Sequence, residues 1–307
     1  MKMKASGALA GNAACFAAYL IFGFNIVFCK NISNSGMVSP MALFCMRAFG
    51  AAILFFVVSL LSGKHEKIEK GDLWKVAVAS FLGLFVTQLS FLKAITMCTA
   101  VDASILSLLS PVMAMIVAAI VLKDRITFGG VIGLAISFAG VLFIVLHSVS
   151  NGSGADSTTL SGVLFMLCNT LGFACYVGIF KPLIQKYSVV TFMKWMFLFS
   201  SLYALPFGIK DLAAVPYAQL SGSVIWQILF VVVFSTFVSY FLIPVGQKRL
   251  KPMIVCMYSY VQPVVAMAIS LSAGLDVMTW SKAIATICVF LGVGVVNFSV
   301  YFCKSVE

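Results

Sequence analysis

The chain has 307 residues, 62% apolar and only 9% charged, with a mean hydropathy of +1.12 and a formal net charge of +11. Soluble domains are about half apolar and about a quarter charged, so a water-soluble globular protein is excluded. The basic residues stand singly at the ends of apolar segments, with no stripe and no aromatic interleaving, which excludes a nucleic-acid surface.

Ten apolar segments follow one another, at about residues 7–29, 39–61, 73–96, 101–122, 128–148, 159–180, 190–209, 223–244, 252–273 and 280–302. Each is near the ~20 residues that a helix needs to cross a bilayer. Met1-Lys2-Met3-Lys4 ahead of an apolar run has the look of a signal peptide. That run continues to about Cys29, longer than an h-region of about 7–15 residues, so it is read as a first spanning helix. No stretch between segments is long enough for a soluble domain. In hydrocarbon the backbone must bond within each segment, so the segments are expected to be helices.

The loops orient the chain. With the N-terminus inside, fourteen basic residues fall on the cytoplasmic side, among them Lys64, Lys67, Lys123, Arg125, Lys186, Lys248 and Lys251. Only Lys30, Lys93, Lys210 and Lys282 fall outside. This positive-inside bias predicts cytoplasmic termini and a multi-pass protein of the plasma membrane, the inner membrane in a Gram-negative cell. All four tryptophans (Trp74, Trp195, Trp226, Trp280) lie at segment ends, where an interfacial belt expects them.

The chain then repeats itself 152 residues on. Pro111 falls on Pro263, Asp124 on Asp276, Thr127 on Thr279, Phe138 on Phe290 and Gly140 on Gly292, without a gap. An internal duplication is the reading: a first repeat over residues 1–148, a polar linker over 149–158, and a second repeat over 159–307. Five spans per copy is an odd number, so the second copy enters the membrane from the opposite side. The expected fold is an all-α integral membrane protein of ten transmembrane helices in two inverted-topology five-helix repeats. Such pairs place a binding site near the midplane between the copies and alternate its access. Transport is the function this organisation implies.

A run of small and hydroxyl residues, then Ser110-Pro111-Val112, an apolar run, the charged hinge Lys123-Asp124-Arg125 and Ala139-Gly140-Val141-Leu142 resembles EamA-type transporters of the drug/metabolite transporter superfamily. Gln262-Pro263-Val264 is similar to the second EamA repeat. Phe22-Gly23-Phe24-Asn25 resembles the family's Trp-Gly-Ser-Asn, with Phe in place of Trp. The resemblance covers about residues 7–300 and implies a secondary transporter, with export the direction of many such relatives.

Candidate site residues are the polar groups at bilayer depth. Arg47 lies about eight residues into the second segment, ~12 Å deep at 1.5 Å per residue, where a charge usually faces the bundle interior. The structural alternative is an Arg bonded to helix-end carbonyls. Gln88 and Tyr240 match under the 152-residue shift, as do Ser107 and Ser259; Ser104, Tyr258 and Gln262 share the same two segments, Tyr258 and Gln262 on one face. Asn25 and Tyr176 are similarly placed in the first and sixth segments. These ten are the expected substrate contacts, with interhelical hydrogen bonding the structural alternative. Lys194 is near enough to a segment end to snorkel. Asp102 is the acid best placed for proton coupling, though a helix-start role suits it equally. Pro111 and Pro263 would free the carbonyls of Ser107 and Ser259. Gly129, Gly133 and Ser137 form a small-residue stripe for close packing, or for a homodimer.

The nine cysteines contain no Cys-x-x-Cys, and His65 and His147 have no ligand-like neighbours, so no metal or other cofactor is expected. The absence of a Gly-x-x-x-x-Gly-Lys-Ser/Thr motif excludes ATP-driven pumping by this chain alone. The expected partners are a small-molecule substrate and the lipid bilayer. That substrate is a small metabolite: an amino acid, an aromatic compound or another small organic molecule. A broad-specificity drug exporter and an importer of the same fold are the alternatives. A membrane enzyme should cluster His, Asp or Glu at one face, and a receptor or scaffold should bring a folded loop or tail; neither explains the repeat.

Overall fold

The computed structural model describes residues 2–62, 66–121, 128–151, 158–250 and 258–306. The hinge residue Asp124 and most of the expected linker lie outside them. All the regular structure among the described residues is helical: α1 (Lys2–Asn34), α2 (Pro40–Leu61), α3 (Lys70–Met97), α4 (Ala100–Ser107), α5 (Ser110–Val121), α6 (Phe128–Asn151), α7 (Leu160–Ile179), the short α8 (Lys181–Lys186), α9 (Val189–Ala213), α10 (Gly222–Arg249), α11 (Val261–Ser272) and α12 (Trp280–Val306). Six of these are long and apolar enough to cross a membrane, and four further stretches are shorter apolar helices.

The helix starts follow local side-chain chemistry. Ser39, Thr99, Thr159, Ser188 and Ser221 each accept a hydrogen bond from the backbone N–H three residues on, opening α2, α4, α7, α9 and α10. Pro40 then sits in the first turn of α2, where its missing N–H costs nothing. Gly36 (φ 67°) and Gly274 (φ 65°) take the left-handed conformation in the turns after α1 and α11.

Two departures from ideal helix shape the interior. The expected kink at Pro111 is a break: α4 stops at Ser107, α5 starts at Ser110, and the Ser110 hydroxyl donates to the Ser107 carbonyl at 2.7 Å. Inside α3 and α10 the helix widens into π turns, at Phe81–Val86 and Val231–Val238, which overlap and share their last position under the 152-residue shift. A π turn leaves carbonyls poorly served by the backbone, and hydroxyls take over. Thr87 donates to the Gly83 carbonyl at 2.6 Å, Thr236 to Val231 at 2.7 Å and Ser239 to Phe234 at 3.1 Å.

Packing has a pattern of its own. Helix α2 packs on α9, α4 on α11 and α6 on α12, while α1 packs on α10 and α11 as α7 packs on α3 and α5. Exchanging the helices for their counterparts in the other half, with α4 and α5 together as the counterpart of α11, leaves this set of pairs unchanged. The close contacts obey the same exchange. A Cβ on Gly11 would lie 2.9 Å from Leu250, and one on Gly162 would lie 2.6 Å from Cys98, the residue 152 places before Leu250. Gly140 rests on Ala285, Cys288 and Val289, and Gly292 on Gly133 and Ser137. Gly133 and Ser137 of the small-residue stripe are therefore packed within the chain.

Candidate transport cavity

Residues that follow the two π turns (Thr87, Gln88, Tyr240) and flank the α4–α5 break (Ser107, Ser110) line a cavity of about 100 Å³ between the two halves. Of the residues singled out in the sequence, Asn25, Arg47, Gln88, Ser107, Tyr240, Ser259 and Gln262 line it. They come from both halves of the chain.

Arg47 dominates the electrostatics. Only 2% of it is exposed, and its Nε donates to Thr236 Oγ1 at 2.9 Å, the hydroxyl that the π turn of α10 brings inward. Its Nη1 is buried and has no partner among the described residues. Opposite, Gln88 is 3% exposed and neither atom of its amide has a partner among the described residues. Asn25 accepts a long hydrogen bond from the Cys29 thiol at 3.5 Å. The apolar wall includes Phe22 and Phe173, with the Tyr240 ring set edge-on to Phe22 at 5.9 Å and to Phe197 at 5.5 Å.

Ser104, Tyr176 and Tyr258 are not among the cavity's lining. Ser104 is one turn short of the break in α4, fully buried, and donates to the Ala100 carbonyl at 2.6 Å. Tyr176 lies two turns along α7 from the lining residue Asn169, packed against Gly83 of the α3 π turn. Tyr258 packs beside Tyr19 and Ile243. Lys194 donates to Ser59 at 3.1 Å and lies over the Phe56 ring. The sequence reading missed Asn169, whose Nδ2 donates to the Thr87 carbonyl at 2.8 Å, and also Tyr19 and Thr87. An amide ten residues into an apolar segment was the signal for Asn169, the same signal that marked Gln88.

Polar clusters fasten the bundle at the two ends of α3, a 28-residue helix ~42 Å long. At its Lys70 end, Asp72 pairs with Lys75 at 2.8 Å and Lys186 at 2.7 Å, and accepts from Tyr187 at 2.9 Å. Lys186 also pairs with Glu69 at 2.7 Å. Hydrogen bonds to Asp72 and Glu69 raise the Lys186 ammonium above its ordinary range. Partial burial of Glu66 opposes its ionisation, but hydrogen bonds from Ser188 and Thr191 outweigh that and hold its carboxyl low.

At the Met97 end, the buried Asp102 accepts from the Thr158 hydroxyl, and its backbone N–H donates to Thr99 Oγ1 at 3.2 Å. Lys282 pairs with Asp276 at 2.6 Å and donates to Thr99 Oγ1 at 3.3 Å, while Asp276 accepts from the Val101 N–H at 3.2 Å. Asp102 thus belongs to an end cluster joining both halves and lines no part of the cavity. A second cavity, about 360 Å³ between α2 and α9, is lined almost wholly by apolar side chains and offers only Ser201 to a polar ligand.

The model of the EamA-like transporter family matches the chain twice, over residues 9–146 and 160–298. An uncharacterized transporter of Archaeoglobus fulgidus is 29% identical over 206 residues, 66% of this chain and 68% of that one. The uncharacterized transporter YyaM of Bacillus subtilis is 23% identical over 280 residues, 88% of this chain and 89% of its own length. The uncharacterized inner membrane transporter YicL of Salmonella typhimurium is 27% identical over 227 residues, 71% of this chain and 72% of its own. A solved crystal structure superposes with a TM-score of 0.62 over 95% of this chain and 96% of the other at 18% identity, a likeness of fold. With two family matches that between them take in all but the termini and a short central stretch, the chain belongs to the EamA-like transporter family of membrane proteins.

Proposed function

We propose that the protein is a secondary transporter that moves a small metabolite across the plasma membrane by alternating access, outward in the cell. In this reading ten helices span the bilayer as two five-helix repeats of opposite topology, at residues 1–148 and 159–307 with a linker between, and both termini are cytoplasmic. The observation that carries it is the cavity between the halves, which holds polar atoms of Arg47 and Gln88 that have no partner among the described residues. A buried polar group at bilayer depth is expensive and marks a ligand path. The exchange symmetry of the helix pairs supports the two-repeat reading, since related halves can rock about a shared site.

Asn25, Arg47, Gln88, Ser107, Tyr240, Ser259 and Gln262 are the proposed substrate contacts. Ser104, Tyr176 and Tyr258 stand behind or beside them. A volume of about 100 Å³ favours a small metabolite over a drug-sized compound, whose pockets run to about 300–1,000 Å³. Asp102 is the proposed proton-responsive carboxylate, acting from the end cluster.

Counterflow in proteoliposomes tests the reading. Vesicles preloaded with unlabelled small metabolites should accumulate the labelled form of at least one class transiently, and empty liposomes none. An imposed pH gradient should then drive uptake by the native protein but not by Asp102→Asn, whose exchange persists. Absence of counterflow across amino acids, organic acids, nucleosides and sugars would refute transport of a small metabolite.

A further inference from the structure

Arg47 is a buried cation with no anion beside it among the described residues. An arginine stays protonated in any protein interior, and an isolated buried charge is among the costliest groups a fold can hold. Its one described hydrogen bond goes to the neutral hydroxyl of Thr236. The described carboxylates are all engaged elsewhere. Glu66, Glu69 and Asp72 serve the cluster at the Lys70 end of α3, and Asp102 and Asp276 that at the Met97 end. Asp211 accepts from Ser39, two turns along α2 from Arg47. Asp124, Asp156 and Glu307 lie outside the described residues.

We infer that the cavity is a carboxylate site: a small organic monoanion docks its carboxylate on Arg47 Nη1 and its apolar body against Phe22, Phe173 and Tyr240. The inference rests on the transporter reading above and names its substrate class. Gln88 supports it independently. It is nine-tenths buried and lines the same cavity, and both of its amide atoms are without partners among the described residues. Gln88 lines the same cavity as Arg47 and Tyr240, and its amide is the donor assigned to the second carboxylate oxygen.

Charge count selects the class. One guanidinium neutralises one negative charge, whereas a dianionic phosphate would bury a surplus. An amino-acid zwitterion would need an acceptor of charge for its ammonium, and no described carboxylate lines the cavity. Size selects further. About 100 Å³ is well below the about 300–1,000 Å³ of drug-sized pockets, which suits a small organic acid.

The test needs no variant to begin with. Thermal shift of the purified native protein is measured with propionate, lactate and benzoate against propionamide, lactamide and benzamide, which keep shape and lose charge. Alanine and inorganic phosphate complete the set. At least one acid should stabilise the protein at millimolar concentration, with its amide about ten- to a hundredfold weaker. Arg47→Gln should abolish the preference for acid over amide, and Arg47→Lys should retain part of it. Amides that bind as well as their acids, tighter binding of alanine or phosphate, or no response to any of the three acids would each overturn the inference. Should Arg47→Gln fail to fold, the acid–amide comparison on native protein still decides. Counterflow of a neutral solute, with the acids ignored, would keep the transporter reading and sink only the carboxylate.

Discussion

Gln88 separates stability from function at the level of one side chain. Its amide is buried without partners among the described residues, so the folded state bears the full desolvation cost of two polar atoms. Gln88→Leu keeps most of the volume and removes that cost. We expect it to stabilise the folded protein by about 1–3 kcal/mol in a thermal melt while lowering transport at least tenfold. A variant that loses both would mean that Gln88 holds the fold rather than a ligand. Among the cavity-lining residues, Arg47, Gln88, Asn25 and Gln262 were legible in the sequence from depth, and Ser107, Tyr240 and Ser259 from the 152-residue match. Where helical phase decides, sequence was a weaker guide. Ser104 and Ser107 are one turn apart on α4, yet only Ser107 reaches the cavity because the helix stops there.

At the scale of single helices, the chain's repeat located the elements well, and their irregularities poorly. Apolar length marked the segments, and Ser or Thr caps set several of their starts. Nothing in Phe81–Val86 or Val231–Val238 announces a π turn: both read as ordinary apolar helix. Yet the extra residue in each turn rotates the side chains beyond it, and in α10 it carries Thr236 to Arg47. The pairing of α6 with α12 was legible in part, as matched glycines, and it makes a sharp prediction. A methyl on Gly292 would lie 2.6 Å from both the Gly133 carbonyl and the Ser137 amide nitrogen, which are backbone atoms that cannot yield like a flexible side chain. A methyl on Gly294 would meet nothing within 4 Å. Gly292→Ala should therefore cost about 1–3 kcal/mol by overpacking, read as a lower melting temperature in detergent. Gly294→Ala should melt within error of the native protein. Equal melting of the two would mean that α6 and α12 do not pack this closely.

For the whole molecule the decisive property is the relation between its halves. The named helix pairs survive exchange of the halves, and the close contacts Gly11–Leu250 and Gly162–Cys98 survive it to within one residue. Symmetric packing alone does not say how the molecule sits in a bilayer; the proposed orientation rests on the charge of its loops. Basic residues gather at Lys64–Lys75, Lys123–Arg125, Lys181–Lys186 and Lys248–Lys251, after every second segment, and are sparse between. With the proposed five segments in a repeat, that alternation supports halves of opposite orientation. Reporter fusions after Lys67, Lys123, Lys186, Lys251 and Lys304 should accordingly report cytoplasm, and a fusion at Ser153, in the expected linker, the outside. The linker carries the weight of this test, because it joins an odd number of spans to their copy. A cytoplasmic signal at Ser153 would make the halves parallel, and the cavity between them would then lose the symmetry that lets one binding site face either side in turn.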